Sequence, residues 1–260
     1  MDQAHSARMY DYYLGGITNF PADREAAART LTVFPSAPIA ARLNRRFMHR
    51  STRHVATTLG LRQFLDIGTG IPTSPNLHEV AQEVIPSSRV VYTDNDPIVL
   101  AHARALLLSR PEGATAYVEA DARDPQAILD HPTLGAHLDL AEPIALSLIA
   151  LLHFVPDEDD AYAVVEHLKK ALPSGSTLAI SHATADFDPE GIARVTQTYA
   201  AAGTRVKART RDEISRFFTG WDLLDPGVVP THRWHPDPND TLLTITDADA
   251  SCYGAIARKP

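Results

Sequence analysis

From Gln63 onward the chain alternates short apolar runs with amphipathic ones, and this alternation narrows the available folds more than any other feature. Residues 64–67 read as a short buried strand. Leu77, Val80, Ala81 and Val84 then recur at i, i+3, i+4 and i+7, the spacing of one helical face. Pro75 suits the start of that helix, and Asn76 with Glu79 resembles a capping pair. A β-branched run at 89–93 predicts a second strand. Asp96 and Pro97 open a helix to about Leu108, and 116–119 is a third strand. Residues 144–152 are almost continuously apolar, as in a central strand buried on both faces. A helix over 157–172 carries Asp157, Glu158, Asp159 and Asp160 at its start and Lys169 and Lys170 near its end, as the helix dipole favours. Pro173 and Gly175 stop it. A fifth strand at 176–181, helices at 191–201 and 210–218, and strands at 221–224 and 252–257 complete the pattern. Strands alternating with helices predict an α/β fold: a doubly wound, mostly parallel seven-stranded sheet with helices on both faces.

The first 60 residues differ. Met9 to Phe20 reads MYDYYLGGITNF, rich in Tyr and Gly with little periodicity. It predicts a turn-rich or partly helical cap. A short helix fits 23–31, broken by Pro35 and Pro38. Leu43, Phe47, Val55 and Leu59 mark a longer helix over 42–59, ended by Gly60. The expected division is an N-terminal helical lid over 1–60 and a cofactor-binding unit over 61–260, packed as one structural unit.

Composition removes several functions. The 260 residues are 44% hydrophobic, ample for a core, and carry a formal charge of −8 with no run of five or more like charges. Nucleic-acid binding, which needs clustered Lys and Arg, is not expected. The apolar run 144–155 is interrupted by Ser147 and His153 and is too short to span a bilayer. The polar N-terminal stretch lacks the apolar segment of a signal peptide. Cys252 is the single cysteine, so no intramolecular disulfide can form. These features predict a cytoplasmic protein without membrane partners. A homodimer is compatible with the sequence.

The chemistry collects where strands end. After the first strand come Asp66, Ile67, Gly68, Thr69, Gly70, Ile71 and Pro72. Glycines there allow positive φ and close approach of a ligand to the backbone. Alone this turn is a weak signal. The second strand ends in Asp94 and Asn95, where an acid can accept hydrogen bonds from both ribose hydroxyls of an adenosine. Asp96 reads as the N-cap of the helix begun by Pro97. The third strand ends in Asp121 and Ala122, where Asp121 can face an adenine amine. Dinucleotide turns usually carry Gly or Ala at the position held here by Thr73, which with Thr69 is expected to contact the cofactor. The leading acid, Asp66, repels a pyrophosphate and suits an ammonium group. The pattern favours S-adenosyl-L-methionine over NAD.

Seven strings carry a more specific resemblance: ARMYDYYLGGITNFPADREAA, NRRFMHRSTRHV, RQFLDIGTGIPTSPNLHEVAQ, RVVYTDNDPIVLAHARALL, EADARDPQAIL, LLHFVPDEDDAYAVV and SGSTLAISHAT. They occur in order over most of residues 7–185. The chain resembles the actinobacterial family once called DUF574 and now S-adenosyl methyltransferases, within the class I methyltransferases. The resemblance implies methyl transfer to a small-molecule acceptor, with S-adenosyl-L-homocysteine as product. It implies that Asp66, Gly68 and Gly70 lie on the methionine side, Asp94 by the ribose and Asp121 by the adenine. Pro72 replaces the third glycine of the superfamily's turn, as the narrower family also does; it removes one N–H donor.

For the acceptor side, His153 just past the fourth strand is expected as a base or substrate anchor, and His182 after the fifth as a second candidate. Tyr10, Tyr13 and Asn19 are expected in a lid closing over the ligands, with Tyr13 also near the chemistry. Arg24 is expected to pair with a carboxylate. No histidine or carboxylate spacing suggests a metal. Three alternatives stay open: another use of S-adenosylmethionine, such as aminocarboxypropyl transfer or cyclisation; a non-catalytic sensor; and an NAD-dependent oxidoreductase.

Overall fold

The computed structural model describes residues 3–106, 108–237 and 244–260. Three helices come first: α1 (Ser6–Tyr13), α2 (Pro21–Val33) and α3 (Ala37–Leu59). The alternating part runs β1 (Gln63–Ile67), α4 (Leu77–Val84), β2 (Arg89–Asp94), α5 (Pro97–Leu106), β3 (Ala114–Glu119), α6 (Pro125–Leu129), α7 (Pro132–His137) and β4 (Ala145–Ile149). It continues with α8 (Ala161–Ala171), β5 (Thr177–Ala183), α9 (Pro189–Ala201), α10 (Arg211–Ser215), β6 (Asp222–Leu223), β7 (Val229–Pro230), α11 (Asp247–Ala250) and β8 (Cys252–Arg258).

The sheet order is β3-β2-β1-β4-β5-β8-β6, and β7 pairs with β8. β1 to β5 are mutually parallel, and β8 runs antiparallel to β5. The order reverses between β1 and β4, which places a crevice at their carboxyl ends. β1, β2, β4, β5 and β8 bury both faces over most of their length, whereas β6 is exposed. Leu65 and Ile67 join the cluster covered by α8 with Val164, Val165 and Leu168. Phe64 joins the opposite cluster, with Phe47, Met48 and Val55 from α3. A third cluster unites α1, α2 and α3 with Tyr199 of α9.

Several sequence expectations change here. α1 is a full helix, N-capped by His5, whose Nδ1 accepts the Ala7 N–H. It buries Arg8 and Asp11 beside Met9 and Tyr13, so a stripe search misses it. Pro38 does not break a helix; it occupies the first turn of α3, where its missing N–H has no partner to lose. α6 and α7 were not anticipated, although Asp124 and His131 cap them ahead of Pro125 and Pro132. The fourth strand stops at Ile149 because Ala150 turns to φ 54°. The four acids do not fill the first turn of α8. Asp157–Asp159 form a short 3-10 turn and Asp160 (φ 53°) precedes Ala161. The helix expected to reach Leu108 is described to Leu106; residue 107 lies outside the described residues. Among the described residues no helix is long and apolar enough to cross a membrane.

Candidate active site

A cavity of about 460 Å³ opens at the carboxyl ends of β1 to β5. Its floor is made by strand ends: Asp66, Gly68, Thr69 and Gly70 after β1, Asp94 and Asn95 after β2, and Asp121 and Ala122 after β3. Its roof comes from the N-terminal helices and α9, through Tyr10, Tyr13, Phe34, Ala37, Ile192 and Tyr199.

The floor is held by backbone geometry. Gly68 sits at φ 76°, and a Cβ there would stand 2.6 Å from the Leu151 Cδ1. Gly70, at φ 68°, donates its N–H to Asp94 Oδ2 at 2.9 Å. Asp94 Oδ1 accepts the Asp96 N–H at 2.9 Å. Each carboxylate oxygen keeps a lone pair for another donor, as a ribose diol requires. Asp96 also accepts the Ile98 N–H, as expected of a cap.

Asp66 is buried at the cavity wall and accepts from Thr69 Oγ1 at 3.2 Å. Burial pushes its carboxyl up to about 6, against the pull of the Thr69 hydroxyl and the Arg45 charge. Such a carboxylate suits an incoming ammonium. Asp121 is held low by Arg123, which donates from its backbone N–H and its guanidinium Nε, both at 2.9 Å. Asn95 reaches Asp121 at 3.5 Å. The ammonium-ready acid, the diol-ready acid and the close-packed glycine fit an S-adenosylmethionine site.

The roof is built from side chains distant in sequence. Tyr10 donates to the Ala41 carbonyl and accepts from Asn44 Nδ2, at 3.0 and 2.9 Å. Burial pushes its phenol up to about 12. The Tyr13 and Tyr199 hydroxyls meet at 3.3 Å, and burial raises both phenols. Arg45 of α3 donates to the Thr73 carbonyl and, at 2.7 Å, to that of Pro75, fastening the turn after β1.

His153 lines the cavity, and its Nδ1 is buried without a partner. Burial, then the nearby Arg209 charge, lowers it to about 3. It is a neutral imidazole at physiological pH.

Four expected side chains do not reach the cavity. His182 is fully buried and absent from the wall. Arg209 Nη1 donates to its Nε2 at 2.8 Å, leaving Nδ1–H to donate to the Ala183 carbonyl. Its ring is locked as a structural element, so the catalytic expectation for it is withdrawn. Asn19 donates to Asp11 Oδ2 and the Gly16 carbonyl, tying down the turn after α1 instead of touching ligand. Thr73 binds back to Asn76 Oδ1 and the Ile71 carbonyl. Arg24 donates to the Asn19 carbonyl and side-chain oxygens, not to a carboxylate.

Two arginines were missed because nothing marks them in sequence. Arg209 is buried and donates to the Leu152 and Val155 carbonyls, both at 2.9 Å, so it brackets the turn that carries His153. Arg8 joins Asp23 at 2.9 Å and Asp96 at 2.7 Å, linking the roof to the end of β2. Among the described residues no group of three or more His, Cys, Asp or Glu side chains is placed to hold a metal.

Comparison with known proteins gives the family. The S-adenosyl methyltransferase family profile matches residues 1–260. The chain is similar to a DUF574 family protein from Streptomyces avermitilis MA-4680, at 54% identity over 99% of this chain and 98% of that one, with a TM-score of 0.97. It is similar to a protein from Thermobifida fusca YX, provisionally described as a methyltransferase, at 37% identity over 100% and 96% of the two chains, with a TM-score of 0.91. The plantazolicin methyltransferase BpumL, solved with S-adenosylhomocysteine, shares the fold at 12% identity over 98% and 95% of the chains, with a TM-score of 0.54. A search of curated proteins gives no match. The chain belongs to the S-adenosyl methyltransferase family and is an S-adenosylmethionine-dependent methyltransferase.

Proposed function

We propose that this chain methylates a small-molecule acceptor held between the strand ends and the helical roof. The observation that carries the reading is the pairing of a polar floor with an aromatic roof across one cavity. On the floor, Asp94 holds the ribose hydroxyls, Asn95, Asp121 and Ala122 border the adenine, and Asp66 with Gly68, Thr69 and Gly70 takes the methionine end. This direction aims the sulfonium at the end of β4, where His153 and the roof meet. Bound S-adenosylmethionine supplies an electrophilic methyl group there.

The chain's own residues then position and exclude. Tyr10 and Tyr13 close the cavity from α1, so residues 1–60 act as a lid on the unit that follows. His153 is an anchor: at about 3 it is too weak a base to take a proton at neutral pH. Tyr13 and Tyr199, held protonated, shape the acceptor space and do not serve as bases. Rate enhancement then comes from alignment and from keeping water out.

The test is product analysis. Purified protein, S-adenosylmethionine and a fractionated small-molecule extract are incubated and followed by mass spectrometry. S-adenosylhomocysteine with a singly methylated product is expected. Methylthioadenosine in its place would reassign the chemistry to transfer of the amino-acid arm.

A further inference from the structure

We propose that the acceptor is an uncharged aromatic molecule whose nucleophile is a neutral nitrogen, in preference to a phenol, alcohol or carboxylate. This rests on the methyl-transfer reading above and concerns the acceptor half of the same cavity.

The first observation is the wall. His153 and Phe154 lie 4.3 Å apart between ring centroids, Phe154 and Tyr199 6.1 Å, and Tyr199 meets Tyr13 through its hydroxyl. Phe34, Val195 and Val206 belong to the same cluster. A continuous aromatic and aliphatic surface therefore faces the floor.

The second observation is charge. The acids that line the cavity, Asp66, Asp94 and Asp121, all belong to the floor. Of the cations, Arg45 is fastened to the carbonyls of Thr73 and Pro75. Arg205 at the rim is bound to Asp159 at 2.7 Å, and Arg123 to Asp121. His5 lies beside Asp96, at 3.4 Å. Among the described residues the aromatic wall thus offers no charged partner to a carboxylate or an ammonium, and burying either without one is unfavourable.

The third observation concerns protons. The titratable groups lining the cavity away from the floor are Tyr10, Tyr13, Tyr199, His153 and Cys252, and burial holds the Tyr10 phenol and the Cys252 thiol up at about 12. Burial also raises the Tyr13 and Tyr199 phenols and lowers the imidazole. An acceptor in the same surroundings is shifted the same way: a phenol is held protonated, whereas an amine is driven to its free base. Among the described residues no side chain here is a base for the phenol, and none is needed to deprotonate the amine.

The step balances without a base. The nitrogen lone pair bonds to the methyl carbon. The carbon–sulfur bond breaks and its electron pair stays on sulfur. Positive charge moves from sulfur to the methylated nitrogen, whose proton leaves to water through the mouth.

The test uses four indanes of similar shape: 5-aminoindane, 5-indanol, indane-5-carboxylate and 2-aminoindane. Calorimetry with the S-adenosylhomocysteine-loaded protein gives affinities, and mass spectrometry with S-adenosylmethionine gives products. 5-Aminoindane should bind at least about tenfold tighter than the carboxylate. The aliphatic 2-aminoindane, an ammonium in water, should tighten by roughly tenfold per pH unit between about 7 and 9, because only its free base enters. Any methylated product should be N-methylated. Equal or tighter binding of the carboxylate overturns the proposal, and so does O-methylation of the indanol faster than N-methylation. Binding of 2-aminoindane that ignores pH also overturns it, since the aromatic wall would then be taking the ammonium as a cation. If none of the four is methylated, the affinity order and the pH slope decide alone. Methylthioadenosine as product would remove the methyl-transfer reading and leave the affinity result standing.

Discussion

The floor and the roof of the cavity solve the same problem by different means. The floor places its groups through backbone: two glycines at positive φ, and an acid whose two oxygens each take one main-chain N–H. The roof places its groups through side chains that meet from α1, α3 and α9, as in the contacts of Tyr10 with Asn44 and Tyr13 with Tyr199. A floor of this kind needs short contiguous segments. A roof of this kind needs the whole fold to be in place. The floor should therefore govern cofactor affinity, and the roof should govern stability and acceptor handling.

The sharpest way to break this division is at Arg8, the roof residue that grips the floor. Asp23 is fully buried and Asp96 is 5% exposed. Arg8→Ala removes the cation between them and should lower unfolding free energy by about 3–5 kcal/mol in urea titration. A loss under about 1 kcal/mol would mean that the roof does not depend on this pair.

Asp94→Ala comes next and should do the reverse. It should raise the Kd for S-adenosylmethionine by roughly tenfold or more in calorimetry, through the loss of two ribose hydrogen bonds. Unchanged affinity would mean that the second strand end does not face the ribose.

Asp66 gives a smaller, pH-dependent effect. Burial raises its carboxyl, so in the free protein ionisation opposes folding as pH climbs from the ordinary value of 3.8 to about 6. A bound ammonium favours the ionised form. Affinity for S-adenosylmethionine should hold above pH 6 and fall by up to about tenfold per unit below it. Asp66→Asn should bind weakly at every pH and flatten the slope. A slope that survives in this variant would assign the titration elsewhere.

The same contrast explains what could be read from sequence. The floor was legible because its signals are local: Gly68 and Gly70 follow one strand, and Asp94 ends the next. Asp66 leads the same turn, where an acid disfavours a pyrophosphate and suits an ammonium group. The roof was legible only as composition. α1 buries Arg8 and Asp11 on the face that a periodicity search expects to be apolar, so its tyrosines read as a lid but its helix did not. Asn19 shared the tyrosines' neighbourhood in sequence, yet its amide is spent on Asp11 and Gly16. His182 and His153 both follow strands. Only the folded chain shows that Arg209 seals one behind the wall and leaves the other lining the cavity.

The smallest expected effect lies inside the roof. Tyr13→Phe removes the hydroxyl that meets Tyr199 at 3.3 Å and also bonds Thr30, and should change stability by about 1 kcal/mol. It should leave cofactor affinity unchanged and alter KM for the acceptor, separating the two halves by kinetics.

A crystal structure with S-adenosylhomocysteine tests the division most directly. The account predicts both ribose hydroxyls on Asp94, the homocysteine amine beside Asp66, and the sulfur turned toward His153 and the Tyr13–Tyr199 pair. An amine placed against α9, or a sulfur facing away from the aromatic wall, would contradict it.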